Sequence, residues 1–331
     1  MTLLKQNTFT FWATFLLATL FITACTPQEL SDTDHDDHDH ENEGGTLLLP
    51  ELEAADLTDR KLNVVATTNI IGDIVDNIGH DAIELTTLLT LNQDPHSYEA
   101  TPSDLVALEQ ADIIFINGWD LEEQLAHTIE ENYPAKFVSI SAGIEPLTLG
   151  SGDSADPHVW FSIHNVEQWA KNVEHILHQL DPESDELFEE NLEQYLTELE
   201  QLEQAVDELL VELPTSQRKL VTNHDAFGYL AAEYDFEIVG TIIPAASTSA
   251  EPSARDLTDL IETMEQEGVC TVFAETTQNN QLAETVAAEL DGCEEVAVVS
   301  LYTGSLGEGE ADNYVGMFWD NIEKIVTNLN K

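Results

Sequence analysis

Between Asp181 and Pro214 the chain carries Phe188, Leu192, Tyr195, Leu199, Leu202, Val206 and Leu209, spaced alternately by four and three residues. That spacing lays one apolar stripe along about seven helical turns. Asp181 is a suitable cap, Pro182 suits a first turn, where its missing N–H costs nothing, and Pro214 ends the run. At ~1.5 Å per residue the predicted helix is on the order of 45 Å long, more than a small domain needs. Such a helix can serve as a coiled-coil dimer seam or as an intramolecular strut between two lobes. Its flanks favour the strut, and a monomer is expected.

On the N-terminal side, strands are predicted over 62–67, 82–89, 113–116 and 137–140, with helices over 70–78, 102–110, from 121, and over 165–180. Beyond Pro214 the alternation resumes: strands over 219–223, 236–242, 270–274 and 295–300, and helices over 226–233, 252–266, 281–290 and 311–329. Strands alternating with helices argue for α/β lobes with mainly parallel sheets. The expected organisation is an N-terminal lobe over 61–180, one long rigid linking helix over 181–214 and a C-terminal lobe over 215–331. The cleft between the lobes is then the natural binding site, at the C-terminal ends of parallel strands.

Residues 1–24 read as a signal peptide: Lys5 supplies the positive n-region, and the apolar run Phe9–Ala24 is shorter than the ~20 residues of a spanning helix. It ends in Ile22-Thr23-Ala24-Cys25, the pattern of a bacterial lipobox, so Cys25 is expected to carry a lipid anchor on an exported chain. Residues 25–60 are polar and contain His35, His38 and His40 among carboxylates. They are expected to form a disordered acidic tether with auxiliary metal capture. The chain has 65 acidic and 10 basic residues, a formal charge of −55, which disfavours nucleic acid and anionic lipid as partners. Cys270 and Cys293 remain; an exported chain lets them pair, although two separate buried thiols fit the sequence too.

The chemistry concentrates in a repeat. Asp94-Pro95-His96 recurs as Asp156-Pro157-His158, and a third histidine, His224, directly follows a predicted strand. Proline fixes its own φ and biases the preceding Asp to extended backbone, so each repeat holds its His at a rigid corner. Neutral imidazole suits zinc and its neighbours, and three such ligands with one open position form a familiar tetrahedral set. Asp94, Asp156 and Asp225 adjoin these histidines and could orient them through the second ring nitrogen. The same set is also a hydrolase pattern, with Glu99 or Glu275 as conceivable bases. No HExxH-type signature accompanies it, and no enzyme is expected.

The stretches Asp94–Glu99, Asp156–Trp160, Asn223–Leu230 and Leu301–Met317 resemble, in order, blocks of the zinc/manganese ABC-transporter substrate-binding lipoproteins of the ZnuA-like type. The resemblance runs from about residue 61 to the end. It implies two α/β lobes bridged by a long helix, metal in the cleft, metal-binding roles for His96, His158 and His224, and delivery to an ABC permease with its ATPase. Manganese-preferring relatives carry Glu where this chain has His224, so Zn²⁺ is expected over Mn²⁺. The alternatives are a manganese-binding homologue, or a surface adhesin or extracellular zinc buffer of the same fold. The departure is Gly304, where the family typically has a ligating Asp. Water, or one of Glu308, Glu310 and Asp312, is expected to fill that position, and Asp at 304 is expected to tighten binding.

Overall fold

The apolar run Ile113–Ile116 is a strand with all four side chains buried, as a strand covered on both faces requires. In the computed structural model, which describes residues 46–149 and 154–330, it is β3 of a parallel sheet. Its companions are β1 (Leu62–Ala66), β2 (Ile83–Thr87) and β4 (Phe137–Ser139), in the order β2-β1-β3-β4. The helices of this lobe are α1 (Asn69–Gly79), α2 (Pro102–Gln110), α3 (Glu123–Asn132) and α4 (Ile163–Leu180). The second lobe repeats the plan. It has β5 (Lys219–His224), α6 (Gly228–Tyr234), β6 (Glu237–Ile243), α7 (Ala254–Glu267), β7 (Thr271–Glu275), α8 (Gln281–Glu289), β8 (Ala297–Leu301) and α9 (Tyr314–Leu329), with the parallel order β6-β5-β7-β8. In both sheets the order reverses beside the first strand, and the crevice at that switch point opens at the strands' C-terminal ends.

The linking helix α5 runs over Asp185–Leu210, 26 residues or about 39 Å, shorter than the sequence suggests. Pro182–Ser184 is a separate 3₁₀ turn, closed by a 2.6 Å bond from Ser184 Oγ to Asp181 Oδ2, and it takes up the predicted first turn. The stripe faces inward: Phe188, Tyr195, Leu199, Leu202 and Val206 are buried, with Leu210 in place of Leu209 at the end. It packs against α1 and α4 of the first lobe and α9 of the second, so its apolar face is consumed within the chain. Arg218 closes the C-terminal end by donating to the carbonyls of Leu210 at 2.8 Å and Leu213 at 3.1 Å.

Residues 46–60, expected to belong to the disordered tether, lie instead along the first lobe. Leu52 N donates to Gln179 Oε1 at 2.6 Å and Ala55 N to Leu180 O at 2.9 Å, while Leu49, Leu52 and Leu57 pack on the core. Averaged composition hides these leucines among acidic neighbours. The signal peptide, Cys25 and the histidines at 35, 38 and 40 lie outside the described residues. Cys270 and Cys293 are joined, their Cα atoms 5.9 Å apart, tying the start of β7 to the α8–β8 connection.

Asp73 on α1 shows what packing α9 costs. Its Oδ2 accepts the Tyr314 amide at 2.9 Å. Burial pushes the carboxyl up to about 6, with Asp76, Glu198 and Asp312 adding to the rise against that hydrogen bond. A raised carboxyl is a penalty fully present above the folded pKa and absent below the unfolded one. Asp73→Asn keeps the acceptor, so it is expected to stabilise the chain by about 1–2 kcal/mol at about pH 8, after allowance for screening, and to give no gain by about pH 3. Thermal melts at both pH values check this. An equal gain at both would rule out the ionised carboxyl as its source.

Candidate metal centre

Each histidine is held at a corner built by its neighbours. Asp94 is extended (φ −88°, ψ 120°) and caps the 3₁₀ turn Pro95–Ser97, its Oδ1 accepting the His96 amide at 3.1 Å. At the second corner Asp156 Oδ1 accepts both the His158 amide at 3.0 Å and the ring Nδ1–H at 2.8 Å. This corner is also tied to both lobes: Asn117 Nδ2 donates to Pro157 O at 2.9 Å, and Tyr229 Oη donates to Asp156 O at 2.8 Å. His224 is the last residue of β5, and Glu275 the last of β7. The two strands pair at Thr222 and Phe273, two residues earlier, so the side chains emerge together at the switch point and Glu275 Oε1 takes the His224 Nδ1–H. The other Glu275 oxygen accepts Thr303 Oγ1 at 2.8 Å.

The three rings meet between the lobes. The Nε2 atoms of His96 and His224 lie 3.2 and 3.1 Å from Nε2 of His158, and the rings are 4%, 2% and 1% exposed respectively, dry enough that no solvent screens them. With the Nδ1 protons of His158 and His224 committed to carboxylates, their Nε2 lone pairs face one another. Neutral lone pairs at that separation repel unless a cation sits among them. Burial drags His96 down to about 3, helped by His158 and His224. It lowers His158 as well. Burial also pulls on His224, but the Glu275 carboxylate overcomes it and holds that ring above its ordinary value. Burial pushes the Asp156 carboxyl up to about 7. His96 and His158 are therefore neutral donors at neutral pH, and Glu275, by holding the Nδ1 proton of His224, leaves that ring's Nε2 as the atom a metal would take.

Two expectations need correction. Glu308, Glu310 and Asp312 are exposed and sit around the 3₁₀ turn Gly309–Ala311 at the start of α9, where Asp312 acts on Asp73; none lines the three-histidine cleft. Gly304 does line it, and a Cβ there would lie 2.7 Å from Pro95 Cδ. The absent side chain is thus what lets the first Asp-Pro-His corner close on the second lobe. Of the adjacent carboxylates, only Asp156 bonds its neighbouring ring. Asp94 faces the other lobe, and Asp225, raised by burial and by Asp156, leaves His224 to Glu275. Glu275 was visible in sequence as a carboxylate after a strand, but its pairing with His224 follows from β5 lying beside β7.

Residues 64–328 match the family described as ZnuA, the periplasmic component A of zinc-uptake complexes. The manganese-binding lipoprotein MntA of Halalkalibacterium halodurans is 30% identical over 272 residues, 82% of this chain and 89% of that protein. The manganese ABC transporter substrate-binding lipoprotein PsaA of Streptococcus pneumoniae is 31% identical over 284 residues, 82% of this chain and 90% of that one. Among solved structures, the periplasmic zinc-binding protein TroA from Treponema pallidum superposes with a TM-score of 0.76 at 30% identity, covering 81% of this chain and 99% of TroA. The manganese-bound periplasmic metal-binding protein of Candidatus Liberibacter asiaticus gives 0.71 at 28% identity, over 82% of this chain and 100% of that one.

Proposed function

The chain belongs to the ZnuA family of periplasmic metal-uptake components, and on that premise we propose that it captures Zn²⁺ outside the cytoplasm and passes it to an ABC permease and its ATPase. It is a metal-binding substrate-binding protein, not an enzyme, and it works at the outer side of the membrane that anchors it. The proposed ligands are Nε2 of His96, His158 and His224, with water in the fourth position. Cys25 is the proposed lipid attachment point, and His35, His38 and His40 the proposed auxiliary capture sites.

The observation that carries this reading is the convergence of three Nε2 lone pairs in a buried cleft. A tetrahedral ion with Zn–N bonds of ~2.0–2.1 Å holds its nitrogens about 3.3 Å apart, close to the spacing of these rings. The donor set supports zinc over manganese. Asp156 and Glu275 are spent on ring nitrogens, and no carboxylate stands where Gly304 lies. Manganese prefers oxygen-rich sites. The second reading, manganese, draws on the names of the relatives.

Calorimetry on a metal-free chain starting at residue 46 separates the two readings. About one Zn²⁺ should bind tightly and Mn²⁺ far more weakly, whereas tighter Mn²⁺ binding would overturn the zinc assignment. The pH dependence has a sign. Glu275 raises the His224 pKa, so protons compete with the ion for that ring, and on acidification apparent affinity should fall by up to about tenfold per pH unit, with about one proton released per ion once the ring is protonated. Titrations in two buffers of different ionisation enthalpy measure that proton directly. Affinity independent of pH between about pH 7 and 5 would remove His224 from the ligand set.

A further inference from the structure

His158 and His224 each have a carboxylate on their own ring, but among the described residues His96 has none: the nearest, Glu123 Oε1, is 3.8 Å from Nδ1, beyond hydrogen-bond distance. The His96 ring is positioned through its corner of backbone, and that corner is gripped from across the cleft. Asp94 Oδ2 accepts Thr248 Oγ1 at 2.6 Å and Gln278 Nε2 at 2.7 Å. Glu123 Oε1 accepts Ser247 Oγ at 2.5 Å. Both acceptors are carboxylates of the first lobe flanking His96. All three donors come from the second lobe, in the β6–α7 and β7–α8 connections. Charge-assisted bonds of this kind are short and about twice as strong as neutral ones. Glu123 also adopts φ 31°, with Trp119 at 49° and Asp120 at 57° just before it, so the segment carrying it is held in a sparsely populated backbone region.

We propose that Asp94 and Glu123, gripped by Thr248, Gln278 and Ser247, form an inter-lobe clasp that sets how long His96 stays on the bound ion. The clasp residues are positioning residues for metal retention and touch no metal themselves. The proposal rests on the reading of His96, His158 and His224 as ligands. The second Asp-Pro-His corner is fixed by Asn117, Tyr229 and its own aspartate, whereas the first is held across the cleft by the clasp and by Asn92 N donating to Ser305 Oγ at 2.9 Å, so it is the corner that loosening the clasp would let lift. Lifting it removes one imidazole and opens the path by which the ion leaves. Ligands that differ little in association rate differ chiefly in dissociation rate, and the clasp acts on that rate.

The test uses the full chain loaded with Zn²⁺ and an excess of a chromophoric chelator in a stopped-flow instrument. The double variant Thr248→Val/Gln278→Leu removes two donors to Asp94 and should release zinc about tenfold faster or more, with association changed less than about twofold. Thr248→Ser, which keeps the hydroxyl, should release zinc at the wild-type rate. The metal-free melting temperature should be unchanged in both. Unaltered release from the double variant overturns the clasp, as does a release rate that rises only in step with a lower metal-free melting temperature. Single Thr248→Val provides the same readout should the double variant fold poorly. His158→Ala run in parallel keeps the two readings apart: if it still holds zinc tightly, the ligand assignment fails, and if it loses zinc while the clasp variants release normally, only the clasp fails.

Discussion

His158→Ala is expected to weaken zinc binding by on the order of 10²–10³-fold, since a full ligand set in a structural zinc site is worth ~10–16 kcal/mol and this change removes one of the three proposed ligands. His158 is the residue to remove because it is central: its Nε2 is the atom that both other imidazoles approach, at 3.2 and 3.1 Å. The fold should tolerate the loss. Asp156, left without its ring partner, already has its carboxyl raised to about 7 by burial and can stay neutral beside the Tyr229 and Leu147 contacts of its backbone. Glu275→Gln should cost less, about 10–100-fold, because Glu275 bonds the His224 ring and is not one of the proposed ligands. Neutralising Glu308, Glu310 and Asp312 together should leave affinity unchanged, since none lines the cleft. Competition against a chelator of known affinity ranks the three. Binding by His158→Ala within threefold of wild type, or a large loss from the distant triple change, would sink the site assignment.

That ranking marks where sequence legibility ends. Strands such as Ile113–Ile116 and the stripe of α5 were readable because burial imposes a period on one contiguous segment. The histidines were readable because Asp-Pro-His states its own local geometry twice. Glu275 was not, because its role depends on β5 and β7 being neighbours, and strand order is not written in either strand. Asp225 and the carboxylates at 308, 310 and 312 misled for the same reason: nearness along the chain stood in for nearness in space. Residues 46–60 misled differently. A few leucines spaced along an acidic stretch are enough to seat extended backbone on a lobe that offers carbonyl and amide partners, and composition averages them away.

Asp at 304 should not simply tighten zinc binding. The ideal Cβ at this position would sit 2.7 Å from Pro95 Cδ, closer than side chains approach, and a tight 3.1 Å from Cγ, and proline cannot swing its ring aside as a flexible side chain can. The corner itself must retreat, and His96 goes with it. Gly304→Ala isolates that steric effect. It is expected to weaken zinc binding about tenfold, the cost of loosening one second-lobe support of a ligand. Gly304→Asp imposes the same displacement and adds a carboxylate oxygen to a cleft that has opened. That combination favours an ion with a higher coordination number and a taste for oxygen, so the ratio of manganese to zinc affinity should rise by about tenfold or more relative to Gly304→Ala. Parallel titrations of the three proteins with both metals measure it. If Gly304→Ala binds zinc as wild type does, the Pro95 contact has no role in closing the site. If Gly304→Asp tightens zinc and leaves the manganese ratio alone, the corner accommodates a side chain after all, and the glycine is merely a lost ligand. On the expected outcome it is the residue that lets a three-histidine site close tightly around a small ion.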